Sequence, residues 1–455
     1  MPLLVTRPGG CLVTNTLGGR GGRQGLAVSF RPSRFHRLPM GFMRGVYMTS
    51  RERVLRALAF QETDRVPRDL GAMRSTGISA FAYPKLVAAL GLPPRRPRVH
   101  DTGQMLALPD LDVLDALGCD VVTIDGGVTN AFEEAEKWQD YDFGGRLQAR
   151  VLDPAAFTTQ PDGTVVQWNS LRMPPTSYVF NADHSGQPVL DFDKPLPLLD
   201  LKQYKRNLDA HPITDEQVKR TADLARRVRA STDRAVFFTD YCGAGLGIGG
   251  YCGIGIFPVI CKLEPEFVAE YHGITVEYGI QRLRAVLPEV RDCVDIIMTT
   301  ADDWGTQNAL IASPETYRTL FKPYYRQFND EVHRLVPGAK VFMHNCGAIY
   351  ELLDEIADSG FDILNPVQWS AGGHSYKKWK DRVRGRLALW GGGVNAQHTL
   401  PHGTVEDVRR EVREVVGYLG QDGGYVFCNI HNLLAEVPPE KVIAMYRAAG
   451  EASEG

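Results

Sequence analysis

Two residues able to bind a metal stand one residue apart in VFMHNCG, residues 341–347. Side chains two apart on a strand share a face, so His344 and Cys346 project together from the end of this apolar run. A third candidate, Cys428, closes the run YVFCNI (425–430), with His431 just beyond it. Two thiolates and an imidazole form a soft, tetrahedral set suited to zinc, with a fourth position left open. An open position marks catalytic zinc, which lowers the pKa of a bound thiol or polarises an ether or thioether heteroatom. His431 is a rival fourth ligand that would close the site. The competing reading of the His-x-Cys pair is an ordinary buried strand edge, because cysteine is often buried for packing.

Cys346 and Cys428 are 428 − 346 = 82 residues apart, so they meet only across the mouth of a closed fold. Eight short β-rich runs provide one: RVPRDLG (65–71), DVVTID (120–125), AVFFTD (235–240), DIIMTT (295–300), KVFMHN (340–345), DILNPV (362–367), LALWGG (387–392) and YVFCNI (425–430). Amphipathic helical stretches such as IYELLDEIADSG (349–360) and VEDVRREVREVVGYLG (405–420) separate them. Strands alternating with helices imply parallel β-α units, and eight units imply an α/β chain folded as a single (β/α)8 TIM barrel. A doubly wound open sheet is the alternative, but no Gly-rich dinucleotide fingerprint follows the first strand. Residues of about 140–195, with alternating runs around TTQPDGTVVQW and TSYVFNADHSGQPVLDF, predict a β-hairpin insertion before the third strand.

Active sites of such barrels lie at the carboxyl ends of the strands. The residues standing there are polar: Asp69, Asp125, Asp240 with Tyr241, Asp302 with Asp303, His344 with Cys346, Asn365 with Gln368, Asn395 with Gln397, and Cys428 with His431. Asp125, Asp240, Tyr241, Asp302, Asn365 and Gln368 are the expected substrate-binding residues. Asp303 and His431 are the expected catalytic ones, Asp303 as a general base or, on the bland reading, the cap of the following helix. Asp120, Asp295 and Asp362 stand at strand starts and read as structural. The Gly-rich stretch 242–258 lacks GxxxxGK[ST] and reads as a loop over the mouth.

A chain of 455 residues, 44% hydrophobic and with a formal net charge of −3, has room for one large barrel and no basic surface for nucleic acid or membrane. It contains no apolar run of the roughly 20 residues that a spanning helix needs. Eight scattered cysteines without a CxxC pair indicate a reducing, cytoplasmic compartment. Residues 1–47 hold seven Arg and no Asp or Glu, and read as a disordered tail or a start assigned too early, with a targeting segment as the alternative. Residues 48–455 are the expected barrel domain, opening with a helix whose N-cap is Ser50.

Several segments resemble the uroporphyrinogen decarboxylase superfamily, and within it the zinc-dependent corrinoid methyltransferases. They are MTSRERVLRALAFQETDRVP (48–67), DDWGTQNALIASPETYRTLFKP (302–323), HNCGAIYELLDEIADSGFDILNPVQ (344–368), GGGVNAQHTLPHGTVEDVRREV (391–412) and HNLLAEVPPEKVIAMYRAAG (431–450). The resemblance implies a β/α barrel and a His-x-Cys-Xn-Cys zinc site of His344, Cys346 and Cys428. It implies methyl transfer between a corrinoid and a small thiol, thioether or methyl ether. DAHPIT (209–214) does not match the corrinoid-binding Asp-x-His-x-x-Gly, so a methyl-corrinoid would come on a separate protein. Decarboxylation of a carboxylated tetrapyrrole is the alternative, for which His431 resembles a histidine near the decarboxylase site. Against it, RVPRDLGAMRST replaces the Arg-rich signature, and aspartates at the mouth repel a polyanion. A barrel whose zinc is closed by His431, serving as a binding subunit, is the third reading. The oligomeric state is not legible.

Overall fold

The computed structural model describes residues 48–180, 190–191 and 193–452. Residues 48–455 form one compact unit, and the expected extension 1–47 lies outside the described residues.

The first helix, Ser50–Leu58, is closed by a capping box in which Thr49, not Ser50, accepts from the Glu52 backbone while the Glu52 carboxylate accepts in return. Seven strands then lie parallel in one sheet, in the order Val121–Asp125, Ala235–Phe238, Ile296–Ala301, Lys340–His344, Ile363–Asn365, Ala388–Trp390 and Tyr425–Val426. The sheet's eighth strand, Val128–Thr129, turns back antiparallel on the first. Residues 67–69 join the two ends. Asp69 N donates to Phe427 O (2.9 Å), Phe427 N to Pro67 O (2.8 Å), and Asp120 N to Arg68 O (2.7 Å). The sheet therefore curls on itself in a TIM-barrel-like α/β fold, and the RVPRDLG run contributes a parallel bridge between Arg68 and Phe427.

Strand alternation sorts the core. Val121, Phe237, Phe342, Trp390, Val426 and Cys428 pack in the interior, while Val122, Val236, Val341, Leu364 and Leu389 face the helices. Phe237, Phe342 and Trp390 meet edge to face, with centroids 4.8 to 6.0 Å apart. Among the helices, Val405–Leu419 buries Val408, Val412, Val415, Val416 and Leu419 on one face, each worth about 1.5–3 kcal/mol of transfer from water.

Between the Val128–Thr129 strand and Ala235–Phe238 lie two antiparallel units. Gln139–Asp142 pairs with Gln148–Val151, and Phe157–Thr159, Val165–Gln167 and Leu171–Met173 form a three-stranded sheet. The TTQPDGTVVQW turn joins the first two of those three strands. The expected second run, 176–192, has no strand in its described part, and residues 181–189 and 192 lie outside the described residues. No described helix is long and apolar enough to cross a membrane.

Candidate metal centre

The Lys340–His344 strand delivers His344, 5% exposed, to the mouth one layer above Phe342. Asn365 then fixes the ring. Its Nδ2 donates to Trp390 O (2.9 Å), which turns its Oδ1 toward His344 Nδ1 at 2.7 Å. Nδ1 therefore carries the proton and Nε2 presents a lone pair, the second-shell arrangement of a metal-binding histidine. That nitrogen faces Cys346 Sγ at 3.2 Å, and the ligand atoms of His344, Cys346 and His431 all lie within 4.8 Å of one another.

Cys346 arrives there on a turn that only glycine permits. Gly347 has φ 89°, and a Cβ on it would overlap the backbone of Gly305. Asp303 Oδ1 accepts from Cys346 N and Gln368 Oε1 from Gly347 N, both at 2.8 Å. Asp303 Oδ1 also stands 3.5 Å from His344 Nε2. Burial, with Asp303 alongside, pushes the Cys346 thiol well above its ordinary range. Burial and the neighbouring His344 pull His431 down to about 4, which keeps its imidazole neutral and able to ligate. A divalent cation would offset the penalty on the thiolate, and two imidazoles with one thiol form a donor set that fits zinc.

His431, rather than Cys428, completes the cluster. Cys428 is fully buried in the barrel interior with Val426, and its thiol donates to Asn429 O at 3.3 Å. The chain must climb three residues past Cys428 to reach the mouth, and it does so with a left-handed backbone at His431, φ 64°.

The family profile for uroporphyrinogen decarboxylase (URO-D) matches residues 264–452, the stretch that carries all three of these side chains. Over that stretch the chain is similar to the uroporphyrinogen decarboxylase family. Curated uroporphyrinogen decarboxylases of Legionella pneumophila are similar to it: that of strain Corby is 29% identical over 248 residues and that of strain Paris 30%. Each match covers 53% of this chain and 66% of the relative, so the chain spans just under two thirds of their length. A methyltransferase from Methanosarcina mazei shares the fold, with TM-score 0.50 and 18% identity, over 89% of this chain and 99% of that one.

Within this fold, the other expected site residues divide. Asp302 does not line the pocket. It is buried, accepts from Ile248 N (2.8 Å), Trp304 Nε1 (2.6 Å) and Tyr325 OH (3.1 Å), and so pins the Gly-rich loop; burial raises it to about 7. Asn365 spends both polar atoms, on His344 and on Trp390 O, and so orients the His344 ring, while Gln368 holds the Cys346 turn through Oε1, which accepts from Gly347 N. Asp125 and Asp240 stand together beside the centre, followed by the half-buried Tyr241 at φ 62°.

Sequence reasoning missed the residues that surround these two. Arg74 Nε lies 3.2 Å from Asp125 and 3.4 Å from Asp101, His100 Nδ1 is 3.9 Å from Asp125, and Ser75 Oγ is 3.4 Å from His344 Nε2. They come from residues 74–101, a stretch of short turns and bridges with no period to reveal a face. Burial works to raise Asp125, but Arg74, His100 and Thr239 outweigh it and hold the carboxyl below its usual range. Burial, with Asp125 as a like charge, lifts Asp240 to about 6. A cavity of about 540 Å³ lined by Leu310, Ile311, Ala348, Tyr350 and His374 contains none of the cluster's ligands.

Proposed function

We propose that this chain is a zinc-dependent methyltransferase, with His344, Cys346 and His431 holding the metal and a separate protein presenting a methyl-corrinoid. The observation that carries the reading is the three-residue cluster with His344 already oriented by Asn365. The shared fold with a methyltransferase agrees with it. Zinc held there would activate a small thiol, thioether or methyl ether at its fourth position. Asn365 keeps the His344 lone pair on the metal side, and Gln368 and Asp303 hold the Cys346 loop at its amides. Asp303, whose carboxylate is 55% exposed beside the cluster, takes the proton that a thiol substrate releases.

The decarboxylase reading has one specific observation in its favour, the name of the curated relatives. The charge of the site opposes it. Arg65 binds Asp120 at the far end of the barrel, and Arg68 reaches Tyr446 O, which leaves Arg74 alone of the three near the mouth. A tetrapyrrole carrying many carboxylates needs several guanidinium groups there.

Elemental analysis of the reduced protein tests the proposal. We expect about one zinc per chain, lost in folded Cys346→Ser and His431→Ala and kept in Cys428→Ser. A well-folded parent that takes up no zinc after anaerobic reconstitution overturns it, and decarboxylation that survives chelation would then be the activity to assay.

A further inference from the structure

The compartment next to the metal centre has an unusual electrostatic balance. Asp101, Asp125 and Asp240 are all at least nine-tenths buried, or close to it, at 8, 9 and 7% exposure. One guanidinium pairs directly with them, Arg74, which spans Asp101 and Asp125, while the exposed Arg220 acts on Asp240 through its charge alone. Asp240 Oδ2 accepts from Gly127 N at 3.0 Å, and Gly126 N also faces the carboxylate. Its Oδ1 is buried with no hydrogen-bond partner. A second polar atom shares that condition, His100 Nε2, on a side chain only 3% exposed. Unpaired buried acceptors are costly and uncommon, so a donor from outside the chain is the simplest completion of the site.

We infer that the substrate bears a protonated amine, held by Asp240 in the compartment of Arg74, His100, Asp101 and Asp125 beside the metal centre. The assignment rests on the methyltransferase reading for the atom that reacts, and it narrows that reading to amine-bearing thiols or thioethers. An ammonium N–H supplies the donor that Oδ1 lacks and the positive charge that three carboxylates and one guanidinium leave wanting. A carboxylate ligand is disfavoured, because Arg74 is already engaged by two carboxylates and Asp240 repels it. A quaternary ammonium has the charge and lacks the N–H. The two halves of such a substrate find their subsites close together. The short turn Arg74–Thr76 touches both, with Arg74 on Asp125 and Ser75 Oγ 3.4 Å from His344 Nε2.

The test is calorimetric titration of the full chain, with its zinc content measured on the same sample, against cysteamine, N-acetylcysteamine and 2-mercaptoethanol. Cysteamine should bind at least about tenfold more tightly than either neutral thiol, the ratio a charge-assisted hydrogen bond provides. In Asp240→Asn the ratio should fall to about threefold or less with zinc unchanged. Ethylammonium, which has no sulfur, should compete with cysteamine while tetramethylammonium competes less well, a comparison that needs neither the variant nor the metal. Equal affinity for the charged and neutral thiols in a zinc-loaded parent overturns the inference and leaves the metal reading standing. A chain without zinc that still prefers ethylammonium would do the reverse.

Discussion

The two ends of the barrel treat their aspartates in opposite ways. At the amino ends of the strands three acids are each held by three residues. Asp120 accepts from Arg53, Arg65 and the Arg68 backbone; Asp295 from Arg51, Arg229 and the Val236 backbone; Asp362 from Lys340, His333 and the Val341 backbone. Each carboxylate ties a helix or loop to the backbone of the neighbouring strand. At the carboxyl ends, Asp240 Oδ1, His100 Nε2, Asn345 Nδ2 and both polar atoms of Asn429 are buried without partners. One rim is built for stability, and the other stores unsatisfied polar groups where a ligand completes them.

Substitutions should break this contrast in opposite directions. The largest effect is expected for Asp120→Ala, which leaves the buried Arg53 with Asp64 as its one carboxylate, takes the carboxylate from Arg65 and unpairs the Arg68 amide, and should cost about 3–5 kcal/mol in urea unfolding. Asp240→Asn should do the reverse. A folded pKa of about 6, above the unfolded value, means that the native carboxyl loses stability as pH rises from about 4 through 6. The amide removes that loss, so the variant should be more stable than the parent at pH 7, by about 1–3 kcal/mol, and should show no gain below pH 4. A destabilised Asp240→Asn at pH 7 would erase the distinction between the rims.

The orienting role of Asn365 sharpens the comparison further. Asn365→Ala frees the His344 ring, and zinc affinity should fall about 10- to 100-fold in a competition titration, while the remaining bound metal keeps the same ligands. The smallest effect belongs to Cys428→Ala. Its side chain packs below the mouth, so stability should drop by about 1 kcal/mol and zinc affinity should stay at the parent's value. Loss of zinc in this variant would restore Cys428 as a ligand.

Much of this was legible in the chain. Seven of the eight β-rich runs, their alternation and the polar residues at their ends could be read from period and order, because strand alternation is a local property of the backbone; the first run, 65–71, forms only a bridge. The same locality explains why His344 and Cys346 were recognisable as a pair. It also explains why Asp120, Asp295 and Asp362 could be set aside as structural, since each precedes its strand. Depth along the barrel is a different matter. Cys428 and His431 both follow the last strand, and the choice between them turned on how far the strand rises and on a left-handed residue at the turn.

The sequence by itself determined seven strands of the sheet, the likeness to the uroporphyrinogen decarboxylase family and the direction in which the strand bearing His344 points, because each is written in neighbouring residues. Tertiary structure alone decided that His431 and not Cys428 meets His344 and Cys346, and the inward turning of Asp302. It also decided the meeting of Arg74, His100 and Asp101 with Asp125 and Asp240. Those contacts join segments with no shared period, and only the closure of the sheet fixes their distances and removes the water that would have satisfied them.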